Sequence, residues 1–177
     1  MSEGRLPHTV NTRKAVTRSA RYDGVLGAQE LPRLADVLDP ANAAPVTAAL
    51  SFGRDDEGRQ RIVVETRATV HLECQRCLER FEQQLESHSE LAIVRTDEEA
   101  QQVPSRYEPA LLGDEADLWE IVAEEIALGL PVAAMHAPED CAAQLPEAAD
   151  EEFEGQAAER SNPFAVLSTL LEESKDN

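Results

Sequence analysis

Aromatic side chains are scarce, at 4% of 177 residues, although apolar residues together reach 42%. A core must therefore be built from Val, Leu, Ile and Ala. No apolar run approaches the roughly 18 residues that a membrane span needs. None of signal-peptide length follows Met1-Ser2-Glu3-Gly4-Arg5. Cysteine is limited to three residues, an odd count that makes no disulfide framework. The expectation is a soluble, cytoplasmic, reduced protein. Enzyme signatures are missing as well. Gly24 and Gly27 are isolated rather than part of a phosphate-binding loop, and neither a Gly-x-Ser-x-Gly elbow nor a His-Glu-x-x-His helix occurs. Acidic pairs such as Asp55-Asp56 and Glu124-Glu125 read as solvated surface or helix caps. The chain is expected not to be an enzyme.

Basic residues are few and unevenly placed. The formal net charge is −19, divided as +3 over residues 1–33, −4 over 34–95 and −18 over 96–177. So acidic a molecule is repelled by phosphate backbones at long range, which argues against non-specific nucleic-acid binding by the whole chain. Acid also serves solubility alone. A basic protein partner remains open, as does RNA touched only by the N-terminal segment.

The chain is organised around Val70-His71-Leu72-Glu73-Cys74-Gln75-Arg76-Cys77-Leu78. Before it, Ile62, Val64, Ala68, Val70 and Leu72 fall on alternate residues. After it, Phe81, Leu85, Leu91 and Ile93 keep that period, which predicts two strands joined at a Cys-x-x-Cys turn. Val46, Ala48, Leu50 and Phe52 predict a strand ahead of them, with a charged turn at 54–58. The opposite face, with Arg61, Glu65, Arg67, His71 and Glu73, should be wet or in contact with something. His71 and His88 read as outward strand residues.

N-terminal to the sheet, Asn11 or Thr12 caps a basic helix to about Ala20, with Arg13, Lys14 and Arg18 outward. Residues 22–27 read as a short strand with a turn. Leu31, Leu34, Val37 and Leu38 predict a further helix stopped at Asp39-Pro40. Beyond the sheet, Asp114 is the expected cap of a helix over 115–129 whose one side carries Leu118, Ile121, Val122, Ile126 and Leu128. Glu125 falls inside that apolar arc. It either pairs with Arg76 or Arg80 of the turn or sits at the edge and reaches water. Residues 142–160 are too polar to bury a core and read as a flexible acidic linker. Ser161-Asn162-Pro163 then opens a short amphipathic helix, 161–177, with Phe164, Leu167, Leu170 and Leu171 on one stripe. That helix folds back or docks a partner.

The fold expectation is α+β, a single domain over 1–141. It comprises a basic N-terminal segment (1–40), an antiparallel β-meander or partly closed sheet (44–95), one long helix (115–129) and a loop over 131–141.

That loop holds His136 and Cys141, so the chain reads Cys-x2-Cys, 58 residues, His-x4-Cys. Zinc takes four tetrahedral nitrogen and sulfur ligands, and short-spaced pairs let each loop supply two. The candidate ligands are Cys74, Cys77, His136 and Cys141. The first pair is a specific signal, whereas His-x4-Cys recurs by chance. The alternative, small buried thiols with His136 capping the helix end, weighs at least as much. A redox role needs the Cys pair at a helix start, yet a strand follows here.

Several strings occur in a telling order. The Cys-turn string above is followed by Asp117-Leu118, then Glu124-Glu125-Ile126-Ala127-Leu128-Gly129-Leu130-Pro131-Val132, then His136 and Cys141, and last Asn162-Pro163-Phe164-Ala165-Val166-Leu167. Together they resemble the YceD family, the large ribosomal RNA subunit accumulation proteins of bacteria and plastids. The resemblance implies a cytoplasmic, non-enzymatic ribosome-biogenesis factor. It would support synthesis, processing or stability of large-subunit (23S) ribosomal RNA. Other branches of the family are similar but richer in cysteine around the His136–Cys141 loop, which suits zinc. On this reading the acidic half holds a basic ribosomal protein or ribonuclease, and Arg13, Lys14, Arg18 and Arg21 are the RNA-contact candidates. The rival reading is a protein–protein adaptor docking through the acidic surface and C-terminal helix; a weaker one is a zinc-dependent or redox enzyme.

Overall fold

The computed structural model describes residues 4–38 and 44–141. At its centre are three antiparallel strands, β3 (Val46–Arg54), β4 (Gln60–Glu73) and β5 (Arg80–Val94). Along β3 and β4 the alternation of apolar residues is also an alternation of burial, with Leu50, Phe52, Ile62, Val64 and Val70 inside. The β3–β4 turn closes because the Asp55 carboxylate accepts the N–H groups of Glu57 and Arg59, while Gly58 takes φ 83°. Two shorter strands flank this core. β2 (Arg21–Leu26) pairs antiparallel with β3, and β6 (Glu108–Leu111) lies parallel to β5. The order β2-β3-β4-β5-β6 leaves β2 and β6 as edges, and no pairing among the described residues joins them.

A second, two-stranded sheet pairs β1 (Thr9–Asn11) with β7 (Glu115–Asp117). This pairing corrects the expected helix start. Residues 115–117 are spent in β7, and helix α3 spans Leu118–Gly129 with Asp117 as its cap, its carboxylate accepting from the N–H groups of Trp119 and Glu120. Asp114 instead uses its backbone carbonyl, which accepts the Thr12 N–H at 3.0 Å. On α3, Leu118, Ile121, Val122 and Ile126 are buried, as is Glu125, whereas Leu128 points outward at 71% exposure. The apolar arc is one residue narrower than expected.

The basic helix is α1 (Thr12–Thr17), capped by the Asn11 side chain, which accepts the Lys14 N–H. It stops three residues short of Ala20. Ser19 adopts φ 46°, and the N–H groups of Ser19 and Ala20 turn back to Val16 and Ala15. The helix expected around Leu31–Leu38 is replaced by two 3-10 turns, Ala28–Glu30 and Pro32–Leu34. Leu31 precedes a proline, which keeps it out of the helical region; its φ and ψ are −121° and 63°. The four leucine and valine positions still serve the core, with Leu31, Leu34 and Leu38 buried. A short helix, α2 (Asp97–Ala100), capped by Thr96, leads from β5 toward β6.

The outer face of the β4–β5 ribbon is laced with cross-strand polar pairs. Arg67 faces Glu86 at 3.3 Å, Glu65 faces His88 at 3.7 Å, His71 faces Glu82 at 3.3 Å, and Arg61 reaches Glu90 at 2.9 Å. Exposed pairs of this kind contribute little stability each, yet they fix strand register and leave no block of positive charge.

Candidate metal centre

At the far end of the β4–β5 ribbon the chain reverses through residues 74–79. The Leu78 N–H bonds the Cys74 carbonyl at 2.8 Å, and the Cys74 N–H bonds the Glu79 carbonyl at 2.9 Å. Closing so tight a reversal forces Leu78 to φ 61°, a left-handed conformation that costs a non-glycine residue about 1–2 kcal/mol. Two bonds tie this knuckle to the loop after α3. The Gln75 N–H donates to the Ala134 carbonyl at 2.9 Å, and the Arg76 guanidinium donates to the His136 carbonyl at 2.5 Å.

This stitching brings all four candidate ligands together. The sulfurs of Cys74 and Cys141 lie 3.8 Å apart, and Cys77 Sγ lies 3.3 Å from His136 Nδ1. The four ligand atoms all fall within 4.8 Å of one another. A sulfur–sulfur gap of 3.8 Å far exceeds the bonded distance of about 2.05 Å. It matches the edge of a zinc tetrahedron, about 3.8 Å when each Zn–S bond is about 2.3 Å. The His136 ring packs on Phe81, with centroids 4.6 Å apart.

Electrostatics point the same way. Burial acts to raise the pKa of Cys74. The backbone N–H groups of Cys77, His136 and Arg76, with the Cys77 side chain, act against it and win, lowering the pKa to about 5. That direction favours the thiolate form of a fully buried sulfur. Such an anion calls for a cation beside it. Three thiolate-forming residues and an imidazole fit zinc and fill a tetrahedral shell. A shell closed in that way holds structure and leaves no coordination position for a substrate.

The comparisons with known proteins concern this same stretch. The model of the family "Large ribosomal RNA subunit accumulation protein YceD" matches residues 62–171. A protein of that name from Haemophilus influenzae is 36% identical over 176 residues, covering 96% of this chain and 98% of the relative. This chain belongs to the YceD family. No solved structure matches it. The YceD match opens in β4 and takes in Cys74, Cys77, His136 and Cys141.

Elsewhere on this YceD-family chain the expected sites fare differently. Arg76 and Glu125 do not pair. The Glu125 carboxylate is buried at 4% exposure and accepts the Ser87 hydroxyl at 3.0 Å, while Arg76 serves the His136 carbonyl. The reason is distance along the ribbon. Ser87 is opposite Thr66, eight residues from Cys74, or about 26 Å of strand, so no knuckle arginine reaches α3 at Glu125. Arg80 stays exposed opposite Glu73.

Arg13 and Lys14 are exposed on α1 and Arg18 is exposed at its C-cap, but Arg21 is engaged with Asp23 at 3.3 Å and Glu65 at 3.6 Å. The linker over 142–160 and the stripe of Phe164, Leu167, Leu170 and Leu171 lie outside the described residues. Sequence reasoning passed over Leu78, whose strain shows only in the backbone. It also passed over Trp119, whose indole stacks on His8 at 4.2 Å and donates to the Leu6 carbonyl at 3.1 Å. The signal available for Trp119 was its being the sole tryptophan, which says nothing of its neighbours. No helix of the described residues is long and apolar enough to cross a membrane.

Proposed function

We propose that this chain is a non-enzymatic factor of the cytoplasm that supports accumulation of large-subunit (23S) ribosomal RNA, through its synthesis, processing or stability. The observation that carries this reading is the near end-to-end similarity to a protein named for that role. The centre at Cys74, Cys77, His136 and Cys141 is read as a structural zinc site that clasps the ribbon to the loop behind α3. The strongly acidic C-terminal half suits a basic partner, a ribosomal protein or ribonuclease, rather than bare RNA. Exposed Arg13, Lys14 and Arg18 are the surface left for RNA contact, with Arg21 in reserve. Depletion of the protein tests the function: mature 23S RNA is expected to fall relative to 16S RNA, and an unchanged ratio overturns the reading. Reversing charge at Arg13, Lys14 and Arg18 tests the RNA contact separately, since normal accumulation in that variant removes the contact alone.

A further inference from the structure

Among the described residues five large apolar side chains are strongly exposed, and three of them, Leu78, Val132 and Met135, stand on the two chain segments that meet at the candidate metal centre. Leu78 is 69% exposed, Leu128 71%, Met135 50%, and Val132 fully exposed. Leu78 follows Cys77, and Met135 precedes His136, so the two flank a pair of side chains in contact at 3.3 Å. Val132 lies two residues before Ala134, whose carbonyl accepts the Gln75 N–H. The other two, Leu111 on the edge strand β6 and Leu128 on α3, lie elsewhere. Apolar side chains scattered singly over a surface need no explanation, but clustered ones do.

Leu78 adds a second, independent observation. A left-handed position at the close of a knuckle is one that glycine fills at no steric cost. Leucine is strained there, and its side chain stays largely exposed. A residue kept in an unfavourable conformation while its apolar side chain points into water is spent on something outside the fold.

We propose that Leu78, Val132 and Met135 form a docking surface for a cationic, amphipathic segment of a protein partner. The charge around it selects the occupant. Glu73, Glu79, Glu139 and Asp140 are exposed beside the cluster residues against one exposed cation, Arg80, while Arg76 is turned inward to the His136 carbonyl. Those carboxylates attract lysine and arginine and repel phosphate, within a chain of net charge −19. The surface rests on the metal reading above: Leu78 is on one half of the clasp, Val132 and Met135 on the other, and the metal holds the halves in register.

The test uses the full chain as purified, with no metal added. It measures fluorescence anisotropy with a labelled helical peptide carrying leucines on one face and lysines on the other. A peptide of identical composition in scrambled order is the control. The striped peptide should bind at least about tenfold more tightly, the effect of burying one or two leucine side chains. Leu78→Gly should weaken it about tenfold while leaving the melting temperature unchanged or raised, because glycine relieves the strain. A residue with a merely structural role would lower that temperature instead. Val132→Ser with Met135→Ser should also weaken binding, and Leu111→Ser should not.

Equal binding of the two peptides, or wild-type affinity in the variants, overturns the surface. So does tighter binding of a single-stranded RNA of matched length. Sedimentation showing a dimer that Leu78→Gly dissolves, or a photo-cross-link from position 78 to residues 142–177, assigns the surface to another occupant and overturns it as well. Elemental analysis of the same samples judges the metal reading on its own. A zinc-free protein refutes that reading, and the peptide comparison still decides the surface.

Discussion

Cys74 and Cys141 stand 67 residues apart in the chain and 3.8 Å apart at sulfur. Few side-chain contacts other than ligation to one ion call for so close an approach of two thiols from separate loops. The centre is therefore expected to carry one zinc per chain. Cys141→Ala or His136→Ala should release it and lower the melting temperature by about 10 °C, since a structural metal contributes its binding free energy to folding. Elemental analysis and thermal melts, with and without chelator, check both quantities. Full-length protein purified without metal and unmoved by chelator would sink the assignment.

Glu125 and Ser87 make a second pairing in the interior. Ser87→Ala strips a buried carboxylate of its donor and should cost about 1–3 kcal/mol in urea unfolding. Glu125→Gln keeps a hydrogen-bonding group in place and should cost less. The double variant Ser87→Ala with Glu125→Leu should cost much less than the sum of Ser87→Ala and Glu125→Leu measured singly. Strict additivity would show that the two residues do not act together.

Gly24 is the place where the chain start crosses the sheet edge. A Cβ there would lie 2.5 Å from the Gly4 carbonyl oxygen and from the Leu6 nitrogen, both backbone atoms that cannot swing aside. Gly24→Ala is expected to destabilise by about 2–3 kcal/mol. Gly53→Ala, with nothing within 4 Å of the added carbon, is the control and should change stability little. Equal denaturation midpoints for the two variants would contradict the crossing.

Acid should loosen the first hairpin. The Glu57 carboxyl is held below its usual range by hydrogen bonds from Arg59 and Arg106. Burial acts to raise Asp55, but the Arg59 and Glu57 N–H groups, the Tyr107 hydroxyl and the Arg59 charge outweigh it, so Asp55 is lowered too. A carboxyl lowered in the folded state stabilises above its unfolded pKa, and that stability fades as pH falls through the folded value. Glu57→Gln should therefore reduce the melting temperature by a few degrees near pH 7. The gap should shrink once pH drops below 4.5, the ordinary glutamate value. A gap that widened in acid would reverse the assigned sign.

How much of this was legible in the residues alone follows from the range over which each signal acts. The alternation of Ile62, Val64, Val70 and Leu72 survives because one face of a strand is dry and the other wet, so β3 to β5 could be drawn directly. The Cys-x-x-Cys turn was readable for the same reason, as the break between two periodic runs. Short strands such as β1, β6 and β7 have no period to show; Ala116 is buried by its pairing with Val10, a partner 106 positions away in the numbering. Leu31 misled because helical spacing is a property of side chains, whereas Pro32 acts on the backbone. The proposed Arg76–Glu125 pair failed for want of a ruler, since complementary charge says nothing of the strand length between two residues. The convergence of Cys74, Cys77, His136 and Cys141 depended on the return path through α3, which spacing alone left as one alternative of two.

The N-terminal crossing at Gly24 has a consequence for how copies of this molecule coexist in a crowded cell. Strands of 14 and 15 residues are hazards wherever their neighbours can be replaced by a strand from another molecule. Here both borders are blunted: the Gly4 carbonyl and Leu6 N–H occupy Val25 on one side, and on the other β6 is four residues long with Pro109 inside it. Trimming residues 4–6 would expose a template for fibril-like growth midway along the ribbon, without touching the knuckle at its end.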